Sequence, residues 1–205
     1  MAEQLLTDIT TLRRSPLAHL HEQISAAGVT GDRGVALREI PFLTMVGIRV
    51  APGSAAAEAL AAVAGVPLPA GHGQVTGAAD GTAVLWQGPD EFLLVAPEGV
   101  SIADDLVGAL RDAPGAVVDL SANRTTLELS GPSARAVLEK GCHLDLHPRS
   151  FASGAAVSAT LGPVPVLLWK TAEQTWRIMP RASFADYTAR WLLDAMTEFG
   201  SPEVP

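Results

Sequence analysis

A single thiol beside two imidazoles, Cys142-His143-x3-His147, is the cluster in this sequence with metal-ligand character, because soft thiolate and imidazole together suit zinc. A tetrahedral site needs a fourth donor, and only Asp145 stands nearby, with no second cysteine and no recognised ligand spacing. The same thiol acting as a nucleophile needs a base in reach and a third group to orient that base. Adjacent side chains on extended backbone point to opposite sides, which separates Cys142 from His143, and Pro148 stiffens the chain directly after His147. Cys142 is therefore expected to be a buried structural thiol behind a helix end. No metal ligand and no catalytic residue is expected in the chain.

Other chemistries lack their cradles. No G-x-G-x-x-G opens a helix after a strand and no G-x-x-x-x-G-K-[ST] occurs, so the usual backbone sites for a dinucleotide or triphosphate are missing and no cofactor-binding residue is expected. Gly71-His72-Gly73 reads as a loop, and Gly131-Pro132-Ser133 would bury its serine in a first helical turn instead of presenting a nucleophile elbow. What remains is the polar corner Ser121-Ala-Asn-Arg124 between two strands. In one reading Asn123 caps the backbone and Arg124 pairs with Asp119. In the other, Arg124 with Arg149 or Arg181 faces an acidic patch on a partner chain, since arginine is enriched at interface cores. Asn123, Arg124, Arg149 and Arg181 are accordingly the candidate interface residues.

The elements that must position this corner follow from composition and periodicity. At 205 residues the chain is one large domain or two fused small ones. Lys and Arg total 14 against 22 Asp and Glu, a net charge of -8 that repels nucleic-acid phosphates and anionic bilayers, so neither is expected as a partner. Residues 59–79 and 150–169 carry no Asp, Glu, Lys or Arg, but Gly and Pro interrupt both, which makes neither a spanning helix. One cysteine excludes a disulfide scaffold, and the N-terminus shows no basic, apolar leader; both point to the cytoplasm.

Residues 1–39 read as an N-terminal arm with a short helix marked by Leu17, Leu20 and Ile24. From there, 40–120 and 121–205 read as two halves of one plan. The first begins with a strand through Pro41 to Val50, then a helix capped by Ser54, then a hairpin about Gly88-Pro89-Asp90, then a helix expected to start at Ser101 with Asp104 in its first turn. Strands at 116–120 and 125–129 flank the corner. The second half continues with a helix over Ala134, Val137 and Leu138, a hairpin about Thr171-Ala-Glu-Gln174, and a helix expected to be capped by Ser183 and to bury Phe184, Tyr187, Trp191, Ala195 and Phe199. Trp86 precedes Pro97 by eleven residues and Trp169 precedes Pro180 by eleven, while Pro52 and Pro132 stand 80 apart at matching strand-to-helix junctions. The expected fold is α+β, a duplicated ferredoxin-like βαββα unit whose two open sheet faces pair.

Six motifs in order, Arg14-Ser-Pro-Leu-Ala-His19, Pro41-Phe-Leu-Thr-Met-Val-Gly47, Trp86-Gln-Gly-Pro-Asp-Glu91, Ser121-Ala-Asn-Arg-Thr125, Leu138-Glu-Lys-Gly-Cys-His-Leu-Asp-Leu-His-Pro-Arg149 and Arg181-Ala-Ser-Phe-Ala-Asp-Tyr187, resemble the gamma subunits of heterotetrameric sarcosine oxidases from about Arg14 to Phe199. The resemblance implies a fold similar to the folate-binding half of the glycine-cleavage aminomethyltransferase. It implies a complex of alpha, beta, gamma and delta subunits that oxidises sarcosine to glycine, passes the one-carbon unit to tetrahydrofolate and releases hydrogen peroxide. It places FAD and FMN on beta or at its boundary with alpha, NAD and tetrahydrofolate on alpha, and zinc on delta. The gamma chain carries no assigned catalytic residue and is expected to pack on alpha; nothing in the Ala-rich stretch 54–79 is assigned a role.

Two other functions compete. A free-standing folate-dependent aminomethyltransferase would need a carboxylate aimed at a pocket, and Asp90 and Asp119 are available without a spacing that aims either. A small-molecule or metal module would rest on Cys142, His143 and His147 alone.

Overall fold

The computed structural model describes residues 12–201. Leu17, Leu20 and Ile24 bury one side of a 3-10 turn (Ala18–Leu20) that runs into α1 (His21–Ala26). Strand β1 (Ala36–Ile40) follows, then a turn through Pro41 and Phe42, then β2 (Thr44–Val50). The Ser54 hydroxyl accepts the Ala57 amide at 3.1 Å and starts α2 (Ala55–Ala64), and Gly65 ends it at φ 71°, the left-handed cap conformation glycine adopts without strain. After β3 (Val75–Gly77), the expected hairpin forms from β4 (Ala83–Gly88) and β5 (Glu91–Ala96), with Gly88 opposite Glu91. Then come α3 (Ala103–Leu110) and β6 (Gly115–Asp119).

The second passage repeats the order: β7 (Thr126–Ser130), α4 (Ala134–Glu139), β8 (Ala156–Leu161), the hairpin β9 (Val164–Ala172) and β10 (Thr175–Pro180), and α5 (Ala185–Met196). All pairings are antiparallel, and the two five-stranded sheets read β3-β4-β5-β2-β6 and β8-β9-β10-β7-β1. The strand-helix-hairpin-helix plan is thus drawn twice, as the duplicated ferredoxin-like reading requires.

Strands β1, β3 and β8 stand outside that expected plan. Residues 36–39, read as part of the arm, belong to β1, which pairs along its length with β7 from Ala36 opposite Ser130 to Ile40 opposite Thr126. All three are sheet edges, where the apolar runs that mark interior strands are absent: β3 spans only three residues and β8 alternates small side chains.

Three apolar layers hold the sheets. Leu43, Met45, Leu85 and Val95 of the first sheet meet Leu167, Trp169 and Met179 of the second across their facing surfaces. Val46, Ile48, Phe92 and Leu94 pack under α2 and α3 through Leu60 and Leu106, while Leu127, Leu129, Trp176 and Ile178 pack under α1, α4 and α5. Each fully buried leucine here contributes about 1.5–3 kcal/mol of transfer free energy.

Several local expectations are corrected. The N-caps of α3 and α5 are Ile102 and Phe184, without a side-chain bond, so neither Ser101 nor Ser183 caps; a 3-10 turn (Ala182–Phe184) leads into α5 instead. Helix α5 buries Ala185, Thr188, Ala189, Leu192 and Met196, whereas Phe184 and Tyr187 are 43% and 48% exposed and Trp191 is half-buried; only Ala195 and Phe199 of the expected face are buried. Small and aliphatic residues let the helix sit close to the sheet, which leaves Phe184 and Tyr187 outside. Trp86 packs on the helix side of its sheet and Trp169 between the sheets, so the equal Trp-to-Pro spacings do not mark equivalent positions.

One row of the second sheet is charged. Glu128 of β7 stands opposite both Arg38 of β1 and Arg177 of β10, and Arg177 stands opposite Trp169 of β9. Arg38 Nε donates to Glu128 at 2.8 Å, Arg177 Nε lies 3.6 Å from the same carboxylate, and the Arg177 guanidinium lies 5.2 Å from the Trp169 ring centroid. Burial is the main influence on Arg177 and lowers its pKa, against the opposing pull of Glu128.

Candidate functional site

The corner at 119–125 is where the chain leaves the first sheet at β6 and enters the second at β7, so its polar groups must be satisfied across a junction. Asp119 accepts from the Ser121 amide at 2.8 Å and the Ser121 hydroxyl at 2.6 Å, and these two bonds hold its carboxyl below the ordinary 3.8. Ser121 in turn accepts the Met45 amide at 3.1 Å, tying the corner to β2. The Thr125 hydroxyl donates to Glu39 at 2.7 Å, and Ser15 donates to the other oxygen of Glu39 at 2.5 Å, which fastens the N-terminal segment to the same place.

Arg124 does not pair with Asp119. Its guanidinium donates to the Met179 carbonyl at 2.8 Å, and its backbone forms an isolated β-bridge with Arg181. Burial first, and the neighbouring Arg181 charge second, lower the Arg124 pKa. The Asn123 carbonyl accepts the Ala182 amide at 2.9 Å, so Asn123, Arg124 and Arg181 meet in one place. Arg149 does not join them. It lies in the turn after His147, where its amide donates to His147 Nδ1 at 3.2 Å.

A cavity of about 350 Å³ opens beside the corner, walled by Arg13, Arg14, Phe42, Asp119, Ser121 and Arg124. A neighbouring cavity of about 380 Å³ shares Arg13, Phe42, Asp119 and Ser121 and reaches the start of α3. Phe42 is held at φ 58°, a conformation that costs a non-glycine residue about 1 kcal/mol, and its ring lies 4.3 Å below the Arg13 guanidinium. Arg13 also reaches Glu98 at 3.6 Å. Three guanidinium groups stand around one carboxylate, so the lining carries net positive charge. The Arg13-Arg14 doublet is visible in the sequence; nothing in its spacing announces that it meets residues more than a hundred positions away.

The thiol-imidazole cluster does not converge. Cys142 is buried in the core under α4 and α5, and burial raises its pKa, which suppresses the thiolate. His143 and His147 are exposed, while Asp145 accepts from Ser150 at 2.5 Å and from the His147 amide at 2.9 Å, and those bonds hold its carboxyl low. Among the described residues no three of His, Cys, Asp and Glu are placed to hold one metal ion. Asp119, Asp145 and Asp186 all have lowered pKa values and stay ionised near neutrality, the opposite of what a carboxyl general acid requires.

Residues 49–198 match the family described as “Sarcosine oxidase, gamma subunit family”. The sarcosine oxidase gamma subunit of Corynebacterium sp. (strain U-96) is 55% identical over 204 residues and that of Arthrobacter sp. is 55% identical over 204, each alignment covering 100% of both chains. A chain of the heterotetrameric sarcosine oxidase from Corynebacterium sp. U-96, solved in complex with pyrrole 2-carboxylate, superposes with a TM-score of 0.92 at 56% identity, covering 95% of this chain and 100% of that one. The glycine cleavage system aminomethyltransferase T from Bartonella henselae superposes with a TM-score of 0.63 at 20% identity, over 89% of this chain and 57% of that one, a likeness of fold alone.

Proposed function

The chain belongs to the sarcosine oxidase gamma-subunit family, and from this we propose that it serves as the gamma subunit of a heterotetrameric sarcosine oxidase, stabilising the assembly and performing none of its chemistry. The observation that carries the reading is the match along the whole of a chain taken from a solved heterotetramer. The complex oxidises sarcosine to glycine, hands the one-carbon unit to tetrahydrofolate and releases hydrogen peroxide in the cytoplasm. Its FAD, FMN, NAD, tetrahydrofolate and zinc reside in the alpha, beta and delta subunits. The scattered placement of Cys142, His143 and His147 supports leaving zinc to a partner. Among the described residues no helix is long and apolar enough to cross a membrane.

The direct partner is alpha, met by the cationic cleft: Arg124, flanked by Arg13 and Arg14, faces acidic side chains on it, Asn123 and Arg181 border the cleft through their backbone pairing beside Arg124, and Arg149 makes a separate contact. Positive potential at such a patch steers encounter and fixes register more than it adds affinity. A free-standing aminomethyltransferase is not favoured, because Asp119 is occupied by Ser121 and Asp90 sits exposed 3.7 Å from Arg49.

Coexpression with the other subunits, affinity capture of this chain and an absorbance scan for flavin test the reading. Capture brings flavin down with the chain, and Arg124→Glu with Arg181→Glu lowers the flavin recovered by at least ~10-fold, equivalent to about 1.4 kcal/mol. Sarcosine oxidation by the isolated chain at the rate of the complex would sink the noncatalytic role, and undiminished flavin capture by the double variant would sink the cleft as the contact.

A further inference from the structure

The second sheet buries an ammonium group with little to hold it. Lys170 of β9 is 1% exposed, stands directly opposite Trp176 of β10, and carries its Nζ 5.3 Å from the Trp176 ring centroid. An ammonium offers three N–H donors. Here one carbonyl, that of Phe151, accepts at 3.4 Å, and among the described residues no carboxylate lies within ion-pair distance. Trp176 has its own indole N–H buried without a partner. Both residues wall a cavity of about 260 Å³ that also takes in Arg135, His147, Glu173 and Gln174. Glu173 is the single acid on that wall, set against the two basic side chains Lys170 and Arg135.

A buried charge left this poorly paired is costly, and a compact anion rich in acceptors would complete it. The volume lies just under the ~300 Å³ at which sites for drug-sized ligands begin, which excludes nucleotides and suits a molecule of a few heavy atoms. We propose that this cavity binds a small free monocarboxylate, its two oxygens shared between Lys170 Nζ at the floor and Arg135 at the rim. Arg135 is free to turn, since its existing partner is the exposed Glu139 at 3.6 Å one helical turn away. The aromatic floor of Trp176 covers the apolar end of the acid.

The occupant would stiffen the loop at 147–155, which supplies His147 and the Phe151 carbonyl and whose Gly154 amide donates to the Lys170 carbonyl at 2.7 Å. Hydrogen–deuterium exchange of that loop, read by mass spectrometry on the full-length chain in the assembly with which it purifies, tests this with acetate as probe against chloride at equal ionic strength. Because the readout is local to this loop, carboxylates bound elsewhere in the assembly do not register. Exchange slows in acetate and not in chloride, by about tenfold at ten times the Kd. Lys170→Met abolishes the response and Arg135→Gln weakens it. Identical exchange in the two salts overturns the proposal, including the case where a partner's Asp or Glu side chain already fills the cavity, as does an undiminished response in Lys170→Met. Should Lys170→Met fail to assemble, an undiminished response in Arg135→Gln overturns it alone.

Discussion

The two sheets share a strand order and differ in what they bury. In the first sheet the charges stay outside: Arg49 on β2 meets Glu91 at 3.3 Å and Asp90 at 3.7 Å, all three side chains more than half exposed, and the helix-side layer is wholly apolar. In the second, Glu128 is 12% exposed and Arg177 10%, within a row that crosses three strands to Trp169, and Lys170 is enclosed on the opposite face. One topology thus tolerates two interiors. The topology is set by where apolar strands and helix starts fall, while polarity on a given row is free to diverge.

The sharpest way to break the contrast is to remove the middle of the charged row. Glu128→Ala strands Arg177 in a buried site and costs about 3–5 kcal/mol in chemical denaturation, whereas Arg49→Ala in the first sheet costs less than about 1 kcal/mol. Equal losses would mean that the row is solvated and the two interiors are alike. A smaller effect separates the helices. Ser54→Ala, which deletes the bond to the Ala57 amide, costs about 1 kcal/mol, while Ser101→Ala and Ser183→Ala stay within about 0.5 kcal/mol of wild type. Smallest of all is the acid response of the corner joining the sheets. The Asp119 carboxyl is lowered in the folded chain, so its stabilisation is fully present above the unfolded value near 3.8 and disappears as pH falls through the folded one. Asp119→Asn is therefore less stable than wild type at neutral pH, and the two converge as acid denaturation is followed below pH 3.8.

Much of this architecture was legible in residue order. The hairpin about Pro89, the helix from Ser54 and the alternation of strand and helix rest on local rules, and each appears where those rules put it. The edge strands β1, β3 and β8 were not legible, because an edge is defined by a partner far along the chain and needs no apolar run of its own, whereas the edge β6 was, since it carries one. The Trp86 and Trp169 spacings pointed to the right duplication for a reason the fold does not honour, since a single-residue shift of register moves a side chain to the other face. Of the candidate site, Asn123, Arg124 and Arg181 could be picked out by residue type at strand ends. The Arg13–Phe42 stack and the enclosed Lys170 could not, because both depend on what a distant loop covers.

Strand β1 has a temporal consequence. Arg38 bonds Glu128 across 90 residues, so during synthesis the first strand leaves the ribosome long before β7, the strand it pairs with, exists. At usual elongation rates that interval is roughly 5–20 s. For that period an unpaired edge waits in a crowded cell, and the charged pair Arg38-Glu39 in its middle is the kind of gatekeeper that keeps such an edge from recruiting a stranger.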